Sequence, residues 1–225
     1  MLYARVPVAG SVKTRFLPSL GAAAAADLHR ALLLDSLELV ATAARRFSAR
    51  PAIAWSEPWH PATDGPEAPI ARAVAGFEEL PQAPGDLGAR LDDTLSRLLV
   101  PGRGPAVILG SDSPTLPPGR IGEALERLAG HDLVLGPAED GGYYLIGARR
   151  PLPGMFAGVG WGGPGALDDT RAGAERAGGT VALLHPWYDI DRPADLARLR
   201  RDADAGIGTR PARTLEFLER INRPG

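Results

Sequence analysis

The chain contains no cysteine in its 225 residues, which excludes disulfide staples and cysteine-based zinc sites. Its four histidines, His29, His60, His131 and His185, are scattered without metal-ligand spacing. No apolar run approaches the ~20 residues needed to span a bilayer. The N-terminus also lacks a basic region followed by a hydrophobic stretch and a cleavage site, so the expected compartment is the cytoplasm. An excess of either charge is missing too: 25 basic residues against 27 acidic ones give a formal net charge of −2. No global field is available to attract nucleic acid or an anionic membrane, and any positive site must be local. There is neither an internal repeat nor a long low-complexity linker, so one domain over residues 1–225 is expected.

What is present is a series of short apolar runs interleaved with segments of helical period, the pattern of an α/β protein with a mainly parallel sheet covered by helices on both faces. Leu2 to Ala4 reads as a first, short strand. Leu33, Leu37, Val40, Ala44 and Phe47 recur at steps of four and three, which predicts a helix over about Gly21 to Phe47. Pro51 to Trp55 reads as a strand, and the Pro/Gly-rich stretch from Glu57 to Pro69 as a loop. Leu87, Leu91, Leu95 and Leu98 mark a helix with Asp86 placed to cap it. Ala106 to Leu109 reads as a buried strand and Ile121, Leu125 and Leu128 as a helix. Strands at Leu133 to Leu135 and Tyr143 to Ile146 flank a Gly-Gly turn, and Val181 to Leu184 is the last strand. Helices at Pro193 to Leu199, with proline in the first turn, and at Thr214 to Ile221 complete the chain.

In open parallel sheets ligands bind beyond the carboxyl ends of the strands, so the residues following each apolar run carry the functional information. After the first strand come Arg5, Gly10, Lys13, Thr14 and Arg15; this opening loop matches neither GxxxxGK[ST] nor GxGxxG, which removes the main support for a P-loop kinase or a dehydrogenase. After Ala106 to Leu109 comes Gly110-Ser111-Asp112-Ser113-Pro114. Beyond Leu135 lies Asp140-Gly141-Gly142, and beyond Leu184 lie Asp189 and Asp191. Cations at one loop and carboxylates at three others suit a nucleotide with a divalent metal: Lys13 and Arg15 for phosphate oxygens, Gly10 for close backbone approach, and Asp112 with Asp189 or Asp191 for Mg²⁺ or Mn²⁺. Each feature also has a plain structural reading. Lys13 and Arg15 serve equally as solvated loop charges, and Asp112 as a turn residue. Asp189, Asp191 and Asp195 could be acidic residues at a helix start, Asp140-Gly141-Gly142 a β-turn, and Trp161 and Trp187 packing groups.

The sequence resembles a bacterial family of GT-A-fold transferases, first catalogued as a domain of unknown function and described in part as glycosyltransferases of arsenosugar biosynthesis. The resemblance rests on RVPVAGSVKTRF at residues 5–16, PGDLGARL at 84–91, GSDSP at 110–114, LGPAEDGGYYLIG at 135–147 and DIDRPADL at 189–196, in order along essentially the whole chain. It also extends distantly to 2-phospho-lactate guanylyltransferase and molybdenum-cofactor guanylyltransferase. It implies a nucleotide-diphospho-sugar transferase fold. Arg5, Gly10, Lys13, Thr14 and Arg15 would then lie at the phosphates, and Gly85, Asp86 and Arg90 would border the nucleotide. Gly141, Gly142 and Tyr143 would line the acceptor side, and Asp112, Asp189 and Asp191 would hold the metal. The resemblance places Asp140 on the acceptor side as well; Asp112 and Asp140 are the expected catalytic groups, Asp140 as the candidate base to test. The sequence departs from the family at Arg5, where lysine is usual, and at Asp112-Ser113-Pro114, which lacks the second carboxylate of a full Asp-x-Asp motif.

The expected activity is metal-dependent glycosyl transfer from a nucleotide sugar to a small-molecule acceptor. Nucleotidyl transfer from an NTP with release of pyrophosphate, and nucleotide binding without catalysis, are the alternatives; self-association into a homodimer is left open.

Overall fold

The computed structural model describes residues 1–222. In chain order they form strand β1 (Leu2–Ala4), helix α1 (Leu17–Arg46), β2 (Ala52–Trp55), α2 (Ala68–Val74), β3 (Glu78–Pro81), α3 (Leu87–Leu98) and β4 (Ala106–Gly110). They continue with α4 (Pro118–Arg127), β5 (Leu133–Pro137), β6 (Tyr143–Ala148), α5 (Ala166–Arg176), β7 (Val181–Leu183), α6 (Pro193–Asp204) and α7 (Ala212–Ile221). These elements gather into two compact units. One holds Leu2–Leu80, Ser111–Pro118 and the chain from Asp189 onward; the other holds Met1, Pro81–Gly110 and Gly119–Tyr188.

In the first unit the strand order is β3-β2-β1. β1 and β2 run parallel, from Leu2 opposite Ile53 to Ala4 opposite Trp55. Such short strands persist because they are dry: all four residues of β2 are buried, as are Leu2 and Ala4. Leu28, Leu32, Leu33, Leu37 and Val40 of α1 add a continuous buried stripe. Gly21 breaks the helix with φ 73°, so the uninterrupted part begins where the periodicity predicts it and Leu17–Leu20 form a preceding turn.

In the second unit the order is β4-β6-β5-β7. β5 and β7 are parallel, whereas β6 runs against both β4 and β5. The α/β architecture is the expected one, with β6 as its antiparallel member. The capping expectation at Asp86 also holds, since its Oδ1 accepts a hydrogen bond of 2.8 Å from the Ala89 amide. Three elements had no clear sequence signal. β3 is alternately half-buried and exposed, α2 begins at Ala68, inside the stretch up to Pro69 read as a loop, with Pro69 in its first turn, and α5 buries mainly alanine, glycine and threonine instead of an aliphatic stripe.

Candidate active site

The loop after β1 is pinned by burial on both sides of its functional residues: Val6 precedes them, and Val12 and Phe16 bracket Lys13 at 2% and 0% exposure. Gly10 has φ 83° with nothing within 4 Å of a hypothetical Cβ. The turn therefore calls for glycine, and no protein group crowds it. Lys13 itself is left-handed, at φ 47° and ψ 43°, a conformation that costs a non-glycine residue about 1 kcal/mol or more. Its carbonyl accepts from the Phe16 amide at 2.9 Å, which starts the single 3₁₀ turn Thr14–Phe16.

The strained backbone sends the Lys13 side chain inward. Its ammonium lies 2.7 Å from Asp112 Oδ1 and 3.4 Å from Asp191 Oδ1, and it donates a third hydrogen bond to the Ile190 carbonyl. Arg15 reaches the other oxygen of Asp191 at 3.2 Å. Burial opposes the charge on Lys13, but the carboxylates of Asp112 and Asp191 outweigh it and raise the pKa. Burial likewise opposes ionisation of Asp112; the Lys13 ammonium, with smaller help from His29 and Arg5, nevertheless holds its carboxyl below the usual range. Both groups are thus charged at neutral pH.

These residues sit on separate segments that are fastened to one another. The Ile190 amide donates to the Asp112 carbonyl at 2.8 Å, and the Ser36 hydroxyl on α1 donates to the Ser111 carbonyl at 3.1 Å. The Ser113 hydroxyl donates to Asp189 Oδ1. Asp195 Oδ2 accepts from the amides of Asp191 and Arg192 at 2.8 and 2.7 Å, so Asp195 caps α6 while Asp191 is spared for the cluster. Arg5, Val12, Lys13, Thr14, Arg15, His29, Asp112 and Asp191 line a cleft of about 290 Å³. Two larger clefts, of about 510 and 500 Å³, lie elsewhere; convergent charge, not size, distinguishes this one.

His29 is a member that its scattered position in the sequence did not reveal. It is 3% exposed, and its Nε2 pairs with the Arg5 carbonyl at 3.0 Å. Because a carbonyl can only accept, Nε2 carries a proton. Burial lowers the pKa against the opposing pull of Asp112.

The other expected site residues belong to the second unit. The Arg90 guanidinium donates to the Gly85 carbonyl at 3.0 Å, closing the turn that Asp86 caps. Gly88 owes its lack of a side chain to Trp161, whose ring would meet a Cβ at 3.0 Å. Trp161 packs on Phe156 and Tyr143, with ring centroids 6.0 and 6.4 Å away, the packing role expected of it. Asp140 is exposed and its Oδ1 accepts from the Gly142 amide at 3.0 Å. Gly141, at φ 91°, presses on the Pro164 carbonyl, which a Cβ would meet at 2.1 Å.

The donor chemistry for a divalent ion consists of two carboxylates. Asp112 and Asp191 aim one oxygen each at a common point, an arrangement of hard oxygen ligands that suits Mg²⁺ or Mn²⁺ completed by phosphate and water. That point is where the Lys13 ammonium lies. Among the described residues no group of three or more histidine, aspartate or glutamate side chains is arranged to hold a metal.

The fold is that of the nucleotide-diphospho-sugar transferase type. The chain belongs to the bacterial family described as "Uncharacterized protein conserved in bacteria (DUF2064)", which matches residues 39–163. It is similar to the crystal structure of a candidate nucleotide-diphospho-sugar transferase from Desulfovibrio desulfuricans G20, with 30% identity over 96% of this chain and 92% of that one, at a TM-score of 0.80. It shares its fold with CMP:2-keto-3-deoxy-manno-octonic acid synthetase complexed with CTP, at 13% identity over 92% of this chain and 98% of that one, with a TM-score of 0.54. No curated protein matches. Fold and family place the chain with the transferases, and among the described residues no helix is long and apolar enough to cross a membrane.

Proposed function

We propose that this protein is a metal-dependent glycosyltransferase that takes a nucleotide-sugar donor and a small-molecule acceptor. The observation that carries the reading is the meeting of Lys13, Arg15, Asp112 and Asp191 in one cleft. Cations and carboxylates at the same place match a diphosphate and its counter-ion.

In this reading the acceptor hydroxyl attacks the sugar carbon and the bond to the nucleoside diphosphate breaks. Arg5 and Arg15, both exposed in the loop, bind the phosphate oxygens and stabilise the charge that develops on them. Lys13 joins them once it gives up a carboxylate, since its three donors are otherwise engaged. Asp112 and Asp191 would hold Mg²⁺ or Mn²⁺, which supplies further neutralisation of the leaving diphosphate when bound. Asp140 is the residue to test as base for the acceptor proton.

The deciding experiment is a thermal-shift panel of nucleotides, nucleotide sugars and NTPs with and without Mn²⁺. A ligand at about 100 times its Kd stabilises the folded protein by roughly 2.7 kcal/mol. A Mn²⁺-dependent shift with one nucleotide sugar, followed by release of nucleoside diphosphate in the presence of an acceptor, is the expected result. Shifts confined to NTPs, with pyrophosphate released, would assign nucleotidyl transfer instead. Binding without any turnover would leave a nucleotide-binding module.

A further inference from the structure

The chain has one lysine, Lys13; the other 24 of its 25 basic residues are arginine (25 − 1). An ammonium group has three donors and no acceptor. All three are engaged, by Asp112, Asp191 and the Ile190 carbonyl, on a side chain only 6% exposed. As placed, Lys13 keeps no N–H for a phosphate. It neutralises the two carboxylates whose oxygens would otherwise receive a divalent ion, and it does so as a compact point charge, which a planar guanidinium cannot reproduce. The bond to the Ile190 carbonyl is an anchor for the ammonium in addition to the two carboxylates.

We infer that the Lys13 ammonium and a divalent cation are alternative occupants of the Asp112–Asp191 pair, so that the ion enters only as Lys13 is drawn away. The inference rests on the functional reading above and adds an order to it. Without a diphosphate, an entering ion must displace or approach a fixed positive charge, which weakens its binding. A diphosphate offers Lys13 new acceptors, frees the carboxylates for the ion, and is itself held by both cations. Ion and diphosphate therefore bind with positive coupling, and by linkage each tightens the other by the same factor. Arg15, 3.2 Å from the second oxygen of Asp191, keeps that carboxylate oriented during the exchange.

The test reads metal binding directly, without nucleotide or turnover. Free Mn²⁺ is followed by electron paramagnetic resonance in titrations of the wild-type chain, Lys13→Met and Lys13→Gln, the second variant being a polar, uncharged replacement in case the first does not fold. Removing the competing charge should tighten Mn²⁺ binding roughly tenfold or more, since even a screened interaction of a unit charge with a divalent ion at contact distance exceeds that factor. Equal or weaker Mn²⁺ binding by the folded variant overturns the inference. A second measurement uses the unaltered protein: labelling with ¹³Cε-lysine gives one side-chain resonance, and a Mg²⁺ titration should move it in step with ion occupancy. Mg²⁺ binding that leaves the resonance in place also overturns it. A protein that binds no nucleotide or nucleotide sugar would fail the transferase reading while leaving both measurements interpretable. Nucleotide binding without antagonism between Lys13 and the ion would keep that reading and remove the exchange.

Discussion

The hydroxyl of Ser113 donates a hydrogen bond to Oδ1 of Asp189. Ser113 follows Asp112 in a loop that lacks the second carboxylate of an Asp-x-Asp motif, and it pairs with one from a segment 76 residues away. Asp189 is thereby committed to Ser113, whereas Asp191 faces Lys13 and Arg15. Asp112→Asn and Asp191→Asn should each lower Mn²⁺-dependent nucleotide-sugar affinity tenfold or more, about 1.4 kcal/mol, and Asp189→Asn should lower it much less. Thermal-shift titrations with and without Mn²⁺ check this; equal losses at 189 and 191 would show that both carboxylates serve the ion.

Asp35 on α1 acts as a remote cap for α7. It is 8% exposed and accepts from the amides of Arg213 and Thr214 at 2.9 and 2.8 Å and from the Thr214 hydroxyl at 2.7 Å. Asp35→Ala orphans all three donors and should cost about 3 kcal/mol, read as a lower urea midpoint. Asp35→Asn, which keeps one acceptor oxygen, should cost less. A change below about 1 kcal/mol in the alanine variant would mean that α7 finds its cap elsewhere.

Asp132 governs part of the acid stability. Its carboxylate receives hydrogen bonds from Arg150, Arg149 and the Thr180 amide and hydroxyl. Led by the Arg150 bond, these hold its carboxyl far below the usual range. A folded-state pKa lower than the unfolded value of about 3.9 stabilises the fold fully above that value, and the contribution is lost as pH falls toward the folded pKa. Asp132→Asn should therefore be less stable at neutral pH and show a shallower decline between about pH 5 and pH 2. Denaturant melts across that range measure both; parallel acid limbs in the two proteins would refute it.

Adjacent glycines in the 138–142 turn should respond unequally. Gly141 needs positive φ and lies against the Pro164 carbonyl, whereas a Cβ at Gly142 would meet only Asp140 Oδ1, at 3.2 Å. Gly141→Ala should destabilise the protein by about 2 kcal/mol or more, and Gly142→Ala by well under 1 kcal/mol, in matched thermal melts. Similar losses at the two positions would contradict the geometry.

Local chemistry alone accounts for much of this molecule. Aliphatic spacing in α1, α3 and α4 and the dry strands β2, β4 and β5 are legible because each presents one apolar face at its own period, and Asp86 caps α3 from within three residues. Short-range patterns also bring out the charged residues at strand ends. Elements that pack through small side chains leave no such trace: α5 comes close enough for a Cβ at Gly173 to meet the Met155 carbonyl at 1.9 Å, and nothing in its sequence spacing announces this.

The identity of the partners is a different kind of information. Asp189 and Asp191 are two residues apart in one extended segment, yet one serves Ser113 and the other Lys13, while Asp195 caps a helix. His29, isolated in the sequence, comes to rest on the Arg5 carbonyl. Composition and spacing specify which groups are available, since propensity and periodicity act over a few residues. Which carboxylate meets the single lysine follows from contacts spanning 177 residues or more, such as Lys13 with Ile190 and Asp191, in a segment anchored by the fully buried Ile190.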